Sequence, residues 1–180
     1  MISVCIATYN GEKFIKEQID SILRQLSSDD EIILSDDGST DDTISIINSI
    51  DDKRIKIIEG PRKHSPTQNF ECAMKEAKGD YIFLADQDDV WKPNKVEVCI
   101  EWLQEYDCVV SDATVTDKGL NTLYPSLYAI MQVRQGRIYN TIWKNGYTGC
   151  CIAFRRNVLK ASLPFPKNIP MHDIWIGNVA

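Results

Sequence analysis

At 180 residues, 43% of them hydrophobic, the chain is long enough for one domain with a sizeable core and too short for two ordinary ones. Its formal charge of −6 argues against nucleic acid as a main partner, because a phosphate backbone is met by clustered Lys and Arg. Acidic residues gathered at a few points suit a bound cation instead.

No stretch reaches the ~18 apolar residues of a membrane span, and the N-terminus lacks the basic and apolar regions of a signal peptide. The six cysteines (Cys5, Cys72, Cys99, Cys108, Cys150 and Cys151) are scattered, mostly within apolar runs, and form no CxxC pair. Reduced core thiols fit that pattern better than disulfides or a zinc site, and the expected compartment is the cytosol.

In chain order, Ile2 to Thr8 predicts a strand that runs into the polar loop Thr8-Tyr9-Asn10-Gly11. Ile15, Ile19, Ile22, Leu23 and Leu26 then fall on one helical face. Ile32 to Leu34 is a continuous apolar run of the kind buried on both faces of a sheet. Ser39 can cap the next helix, with Asp41 and Asp42 in its first turn and Ile44 and Ile47 inward. Ile55 to Ile58 is a third strand, and a helix from about Thr67 follows, ended by Gly79. Tyr81 to Ala85 is a fourth strand, Pro93 opens another helix, and Cys108 to Val110 is a fifth strand. The pattern weakens from Asp112 to Asn145, an expected surface excursion, and Cys150 to Phe154 returns as a core strand.

Strand and helix alternating at this spacing predict βαβ units with right-handed crossovers. The expected fold is α/β, a doubly wound and mostly parallel sheet flanked by helices. Ligands in such folds sit beyond the carboxyl ends of the strands.

Two acidic clusters fall at such ends: Asp36-Asp37-Gly38-Ser39 after the second strand, and Asp86-Gln87-Asp88-Asp89 after the fourth. Carboxylates crowded at one sheet edge repel one another unless something offsets the charge. Mg²⁺ or Mn²⁺ does so, because both favour carboxylate and phosphate oxygens together. Either cluster alone also reads as a solvated turn. Tyr9, beside small polar residues, can hold a flat base by stacking.

Taken in order, ISVCIATYNGEKFI, ILSDDGSTDDT, KGDYIFLADQDDVWKP, GYTGCCIAFRR and MHDIW resemble the family-2 glycosyltransferases, which have the single nucleotide-binding GT-A fold. The resemblance implies a metal-dependent, inverting transfer of a sugar from a nucleoside diphosphate to an acceptor hydroxyl. By that likeness Ala7 and Tyr9 border the base and Asp37 accepts from its ring N–H, with Asp36 beside it. Glu12 and Asn69 match positions lining the nucleotide site. Asp86-Gln87-Asp88 corresponds to the DxD motif, its first carboxylate near the ribose, Asp88 on the metal and Asp89 assisting. Asp173 matches the general base, and His172 orients the acceptor or packs.

The HDIW form resembles enzymes of bacterial surface polysaccharides, including rhamnosyl- and galactosyltransferase-like ones. The implied donor is a uridine diphosphate sugar, with thymidine diphosphate next, and the implied acceptor is a saccharide, free or lipid-linked. Members of the family commonly continue past the base, so residues 1–180 are expected to be one GT-A domain lacking its C-terminal part. That part can bring peripheral contact with the inner face of the membrane.

Several features stay open at this level. Arg62-Lys63-His64 is a solvated loop or a phosphate contact, and Arg155-Arg156 reaches phosphate or caps a strand end. By the family likeness Gly146 to Gly149 sits near the donor sugar or the acceptor, and its glycines equally serve turn geometry. Two rival functions also remain. Asp86-Gln87-Asp88-Asp89-Val90 fits the DxDx(V/T) pattern of haloacid-dehalogenase-like phosphatases, although three strands precede it. Asp36-Asp37 after a strand also fits a non-catalytic receiver-like or nucleotide-sugar-sensing module.

Overall fold

A computed structural model describes residues 1–133 and 146–180. The chain runs β1 (Ile2–Thr8), α1 (Ile15–Leu23), β2 (Glu31–Asp36), α2 (Thr43–Ser49), β3 (Ile55–Glu59), α3 (Pro66–Glu76), β4 (Tyr81–Asp86), α4 (Lys95–Trp102) and β5 (Cys108–Val110). A short hairpin, β6 (Val115–Thr116) and β7 (Thr122–Tyr124), leads to α5 (Leu127–Met131). After a 3₁₀ turn at Gly149–Cys151 come β8 (Ile152–Arg155), α6 (Arg156–Ser162) and α7 (His172–Val179). The expected excursion from Asp112 to Asn145 is thus in part this hairpin and helix, and its remainder, 134–145, lies outside the described residues.

The main sheet has the order β3-β2-β1-β4-β8-β5. β1 pairs parallel with both β2 and β4, and β2 with β3. β8 enters antiparallel between β4 and β5, so the fifth strand does not join the fourth directly. The α/β, mostly parallel, helix-flanked expectation holds, with this one reversed strand added.

Strand side chains alternate between two cores. Val4, Ile6, Ile32, Leu34 and Phe83 face Ile15, Ile19 and Ile22 of α1 and Val96 of α4. Cys5, Ile33, Ile82, Leu84, Ile152 and Phe154 face Phe70 and Met74 of α3, Leu159 of α6 and Ile176 of α7. The central strands are therefore apolar on both faces, which is why Ile32 to Leu34 shows no alternation. Burying a side chain such as Phe83 completely contributes about 1.5–3 kcal/mol.

Several local expectations are corrected. Ser39 caps no helix: α2 begins at Thr43, and Asp41 and Asp42 precede it. α3 starts one residue early, at Pro66, with the Ser65 side chain accepting from the Gln68 N–H. Gly79 does not terminate α3, which ends at Glu76. Its lack of a side chain lets two backbones meet, since a Cβ there would lie 2.5 Å from Ser3 N. Asn94, not Pro93, precedes α4.

Arg155 and Arg156 tie down helix ends. Arg155 Nε donates to Leu103 O and Arg156 Nε to Gly79 O at 2.7 Å, and Arg156 also donates to Ala77 O. The two arginines do cap, but the carbonyls they cap follow the helices α4 and α3 rather than a strand end.

Candidate active site

Because β1 lies between β2 and β4, its end meets both acidic clusters. Thr8 is opposite Asp36 and Ala7 opposite Asp86 in the strand registers. Just beyond, the Asp37 N–H donates to Thr8 O at 2.9 Å. The Asp37 carboxylate is buried and accepts from the Lys63 and Ser65 N–H groups at 3.1 and 3.3 Å. Asn69, on the first turns of α3, donates to Thr8 O at 3.2 Å, while its buried Oδ1 has no partner among the described residues.

Tyr9 and Gln87 join β1 to β4 by a reciprocal pair. The Tyr9 N–H donates to Gln87 Oε1, and Gln87 Nε2 donates to Tyr9 O, both at 3.0 Å. Gly11 gives the Gln87 amide its room, since a Cβ there would fall 2.5 Å from Gln87 Oε1. The Tyr9 ring stays partly exposed and meets His64 edge-on, with centroids 4.6 Å apart.

These side chains enclose a cavity of about 300 Å³. Of the residues expected at the nucleotide, Ala7, Tyr9, Asp37, Asn69 and Asp86 line it, together with Asp88. Two others stand apart. Asp36 is spent on the turn, accepting from the Gly38 and Ser39 N–H groups at 3.1 and 2.9 Å and from the Ser39 hydroxyl. Glu12 accepts from the Asp42 N–H at 3.2 Å, ahead of α2. Thr8, His64, Ser65, Pro66, Phe70 and Gln87 complete the wall. His64 is an exposed loop residue, as the solvated-loop reading expects, and its ring also meets Tyr9 at the cavity wall.

Beyond Asp88 a second cavity, of about 800 Å³, is lined in part by Asp88, Asp89, Trp91, Lys95 and Cys150. Donor atoms of Asp86, Asp89 and Cys150 all lie within 4.8 Å of one another. The Asp86 carboxyl is pushed up to about 6, first by burial and then by the charges of Asp89 and Asp88. That penalty is the mark of a site short of positive charge. An oxygen-preferring divalent cation fits the carboxylates of Asp86 and Asp89, while Asp88, expected on the metal, is not among the grouped donor atoms.

Asp173 lies in the first turn of α7, is buried, and lines neither of these two cavities. Its charge is the smallest of the contributions that raise the Asp86 carboxyl. His172 beside it is buried and stacks on Phe70, with centroids 4.3 Å apart. Neither of its ring nitrogens has a hydrogen-bond partner among the described residues. Burial holds the imidazole below its ordinary pKa, and Asp173 opposes that effect.

A doubly wound sheet with a buried carboxylate, a partly exposed aromatic ring and an acidic strand end around one cavity places this site where α/β domains bind their ligands. Residues 3–163 match the family model described as glycosyl transferase family 2, and the chain belongs to that family. It is 39% identical over 104 residues to the Escherichia coli UDP-Glc:alpha-D-GlcNAc-diphosphoundecaprenol beta-1,3-glucosyltransferase WfaP, covering 58% of this chain and 41% of that protein. Residues 1–349 of Staphylococcus aureus TarS share the fold at a TM-score of 0.72 and 20% identity, over 97% of this chain and 52% of that one. The glucosyl-3-phosphoglycerate synthase of Mycobacterium tuberculosis, in complex with Mn²⁺, uridine diphosphate and glucosyl-3-phosphoglycerate, shares it at 0.67 and 22% identity. That match covers 99% of this chain and 63% of the synthase. The chain thus spans less than two thirds of each of these proteins. Among the described residues no helix is long and apolar enough to cross a membrane.

Proposed function

We propose that this chain carries the donor-binding and catalytic part of an inverting glycosyltransferase. It takes a sugar from a uridine diphosphate donor, with thymidine diphosphate next, and passes it to a saccharide or lipid-linked saccharide hydroxyl in surface-polysaccharide synthesis. The observation that carries this reading is the grouping of Tyr9, Asp37, Asn69, Asp86 and Asp88 around one cavity at the carboxyl ends of three neighbouring strands. WfaP, by its name a UDP-glucose-dependent enzyme acting on a diphosphoundecaprenol-linked sugar, supports both the donor and the acceptor class.

In this reading Tyr9 packs on the base and Asp37, held by two backbone N–H groups, accepts from the ring N–H of a pyrimidine. Asp86 approaches the ribose. Asp88, with Asp86 and Asp89 near, would hold a divalent cation, which would neutralise charge on the departing diphosphate. Mn²⁺ in the M. tuberculosis synthase complex supports that choice of ion class, with Mg²⁺ equally compatible with oxygen ligands. Asp173 takes the proton of the acceptor hydroxyl as that oxygen bonds to the anomeric carbon. The bond from that carbon to the phosphate oxygen breaks on the opposite face, which inverts the anomeric centre in one displacement.

The test is calorimetric titration with uridine, thymidine and guanosine diphosphates, with and without Mn²⁺, repeated on Asp88→Asn. A single diphosphate that binds only with the cation, and is lost in the variant, supports the reading and names the base. A folded protein that binds none of them sinks it.

A further inference from the structure

Among the described residues, Cys150 is the thiol whose sulfur is grouped with carboxylate oxygens of the acidic edge. It is half-buried and lines the larger cavity beside Asp88 and Asp89. Its Sγ lies with carboxylate oxygens of Asp86 and Asp89 inside a common span of 4.8 Å, and 4.0 Å from the Cys151 Sγ. The three donors come from two separate segments, the end of β4 with its following turn and the 3₁₀ turn before β8.

The position of the sulfur is set by backbone. Lys95 Nζ donates to Cys150 O at 2.7 Å and itself sits over the Trp91 ring at 4.7 Å. Next along, Cys151 N donates to Thr148 O, and Ser111 N donates to Cys151 O, both at 2.9 Å. The thiol therefore has an anchored main chain and only its own χ1 to turn.

We infer that Cys150 gives this chain a mixed carboxylate–thiolate site, with Asp86 and Asp89, that takes thiophilic divalent ions such as Zn²⁺, Cd²⁺ or Co²⁺. The inference rests on the proposed function only in treating the acidic edge as a cation site. Zinc-type coordination places oxygen and sulfur donors about 3.6 Å apart, so small side-chain turns close the cage. The thiol gives up its proton to solvent as the ion binds. Oxygen ligands alone favour Mg²⁺ or Mn²⁺, and one sulfur tips the preference toward softer ions. Because Asp86 is shared, a thiophilic ion here excludes the oxygen-bound cation from the same carboxylate.

The test titrates the phosphine-reduced full chain with Co²⁺ and reads the thiolate-to-cobalt charge-transfer absorption. The expected band saturates at one ion per chain, disappears in Cys150→Ser and survives in Cys151→Ser. Zn²⁺ affinity, measured by competition against Co²⁺, is expected to fall roughly a hundredfold or more in Cys150→Ser. No band in the wild type, or one that survives Cys150→Ser, overturns the inference. Should Cys150→Ser misfold, the wild type alone decides. Zn²⁺ must slow iodoacetamide labelling of Cys150, read by peptide mass spectrometry, and unchanged labelling overturns the inference. Uridine diphosphate binding with Mn²⁺ is measured on the same sample. Binding without a cobalt band removes this inference and leaves the proposed function standing, whereas a band without any diphosphate binding does the reverse.

Discussion

Gly149 and His172 stand in such close contact that a Cβ on Gly149 would lie 2.7 Å from His172 Nε2. The imidazole has nowhere to retreat, because its face is stacked on Phe70, part of the wall of the smaller cavity. Gly177 repeats the arrangement one turn further along α7, where a Cβ would meet Tyr147. Two glycines thus let the 146–151 segment lie directly on α7, which carries Asp173.

Gly149→Ala is expected to destabilise the protein by about 1–3 kcal/mol, as overpacking of a filled site does. Shifting α7 moves Asp173 while leaving Asp37 and Tyr9 in place. Turnover should therefore fall further than diphosphate affinity. Thermal melting, calorimetry and initial rates on one preparation check this, and equal losses in rate and affinity would contradict it.

Asp86 gives a pH prediction with a definite sign. Its folded pKa of about 6 lies above the ordinary 3.8, because burial and the charges of Asp89 and Asp88 disfavour ionisation. The folded state therefore holds a proton that the unfolded chain releases. Stability from this group is complete below about pH 4 and is lost as pH rises through about 6. Asp86→Asn, which cannot ionise, should gain on the wild type across that window, approaching about 3 kcal/mol above it. Mn²⁺ should stabilise the wild type more above pH 6 than below it, whereas in the variant its effect should not change across that window. Denaturant midpoints of both proteins from pH 4 to 8, with and without Mn²⁺, make the comparison.

Arg156 supplies a contrast. Its guanidinium bonds Gly79 O and Ala77 O, and none of its hydrogen bonds reaches the acidic edge. Arg156→Ala should lower stability by about 1.5–3 kcal/mol, the range for hydrogen bonds to a charged group. Diphosphate affinity should stay unchanged. A weakened titration with a normal melting curve would return this residue to the phosphate.

What was legible in the sequence follows from how local each cause is. β1, β2 and β4 could be read because a strand buried on both faces must be apolar throughout, as Ile32 to Leu34 is. The place of β8 could not, because Ile152 to Phe154 carries no mark of direction, and its insertion between β4 and β5 is decided by packing. Asp36 and Asp37 are adjacent and chemically alike, yet one is consumed by a turn and the other faces the cavity. Only the path of the chain after β2 separates them. Cys150, read as one core thiol among six, lies beside two carboxylates because the 3₁₀ turn returns it to the end of β4.

Asp173 closes the argument for catalysis, because its proposed role is separable from donor binding. It lies outside the cavity that holds Tyr9 and Asp37, yet near enough to Asp86 for its charge to be felt there. Asp173→Asn keeps the shape and the bond from the Ile174 N–H to Oδ1, given at 2.7 Å in the wild type, while removing the basic oxygen. Losing a general base lowers turnover by roughly a hundredfold to ten-thousandfold. Calorimetry should show the diphosphate and cation binding as before, since neither meets this carboxylate in the proposed arrangement. The rate deficit should also shrink as pH rises, because deprotonation of the acceptor hydroxyl by solvent grows easier. A variant that turns over normally would remove Asp173 from the chemistry and leave it as a packing residue of α7. One that loses both rate and binding would assign it to the donor site instead.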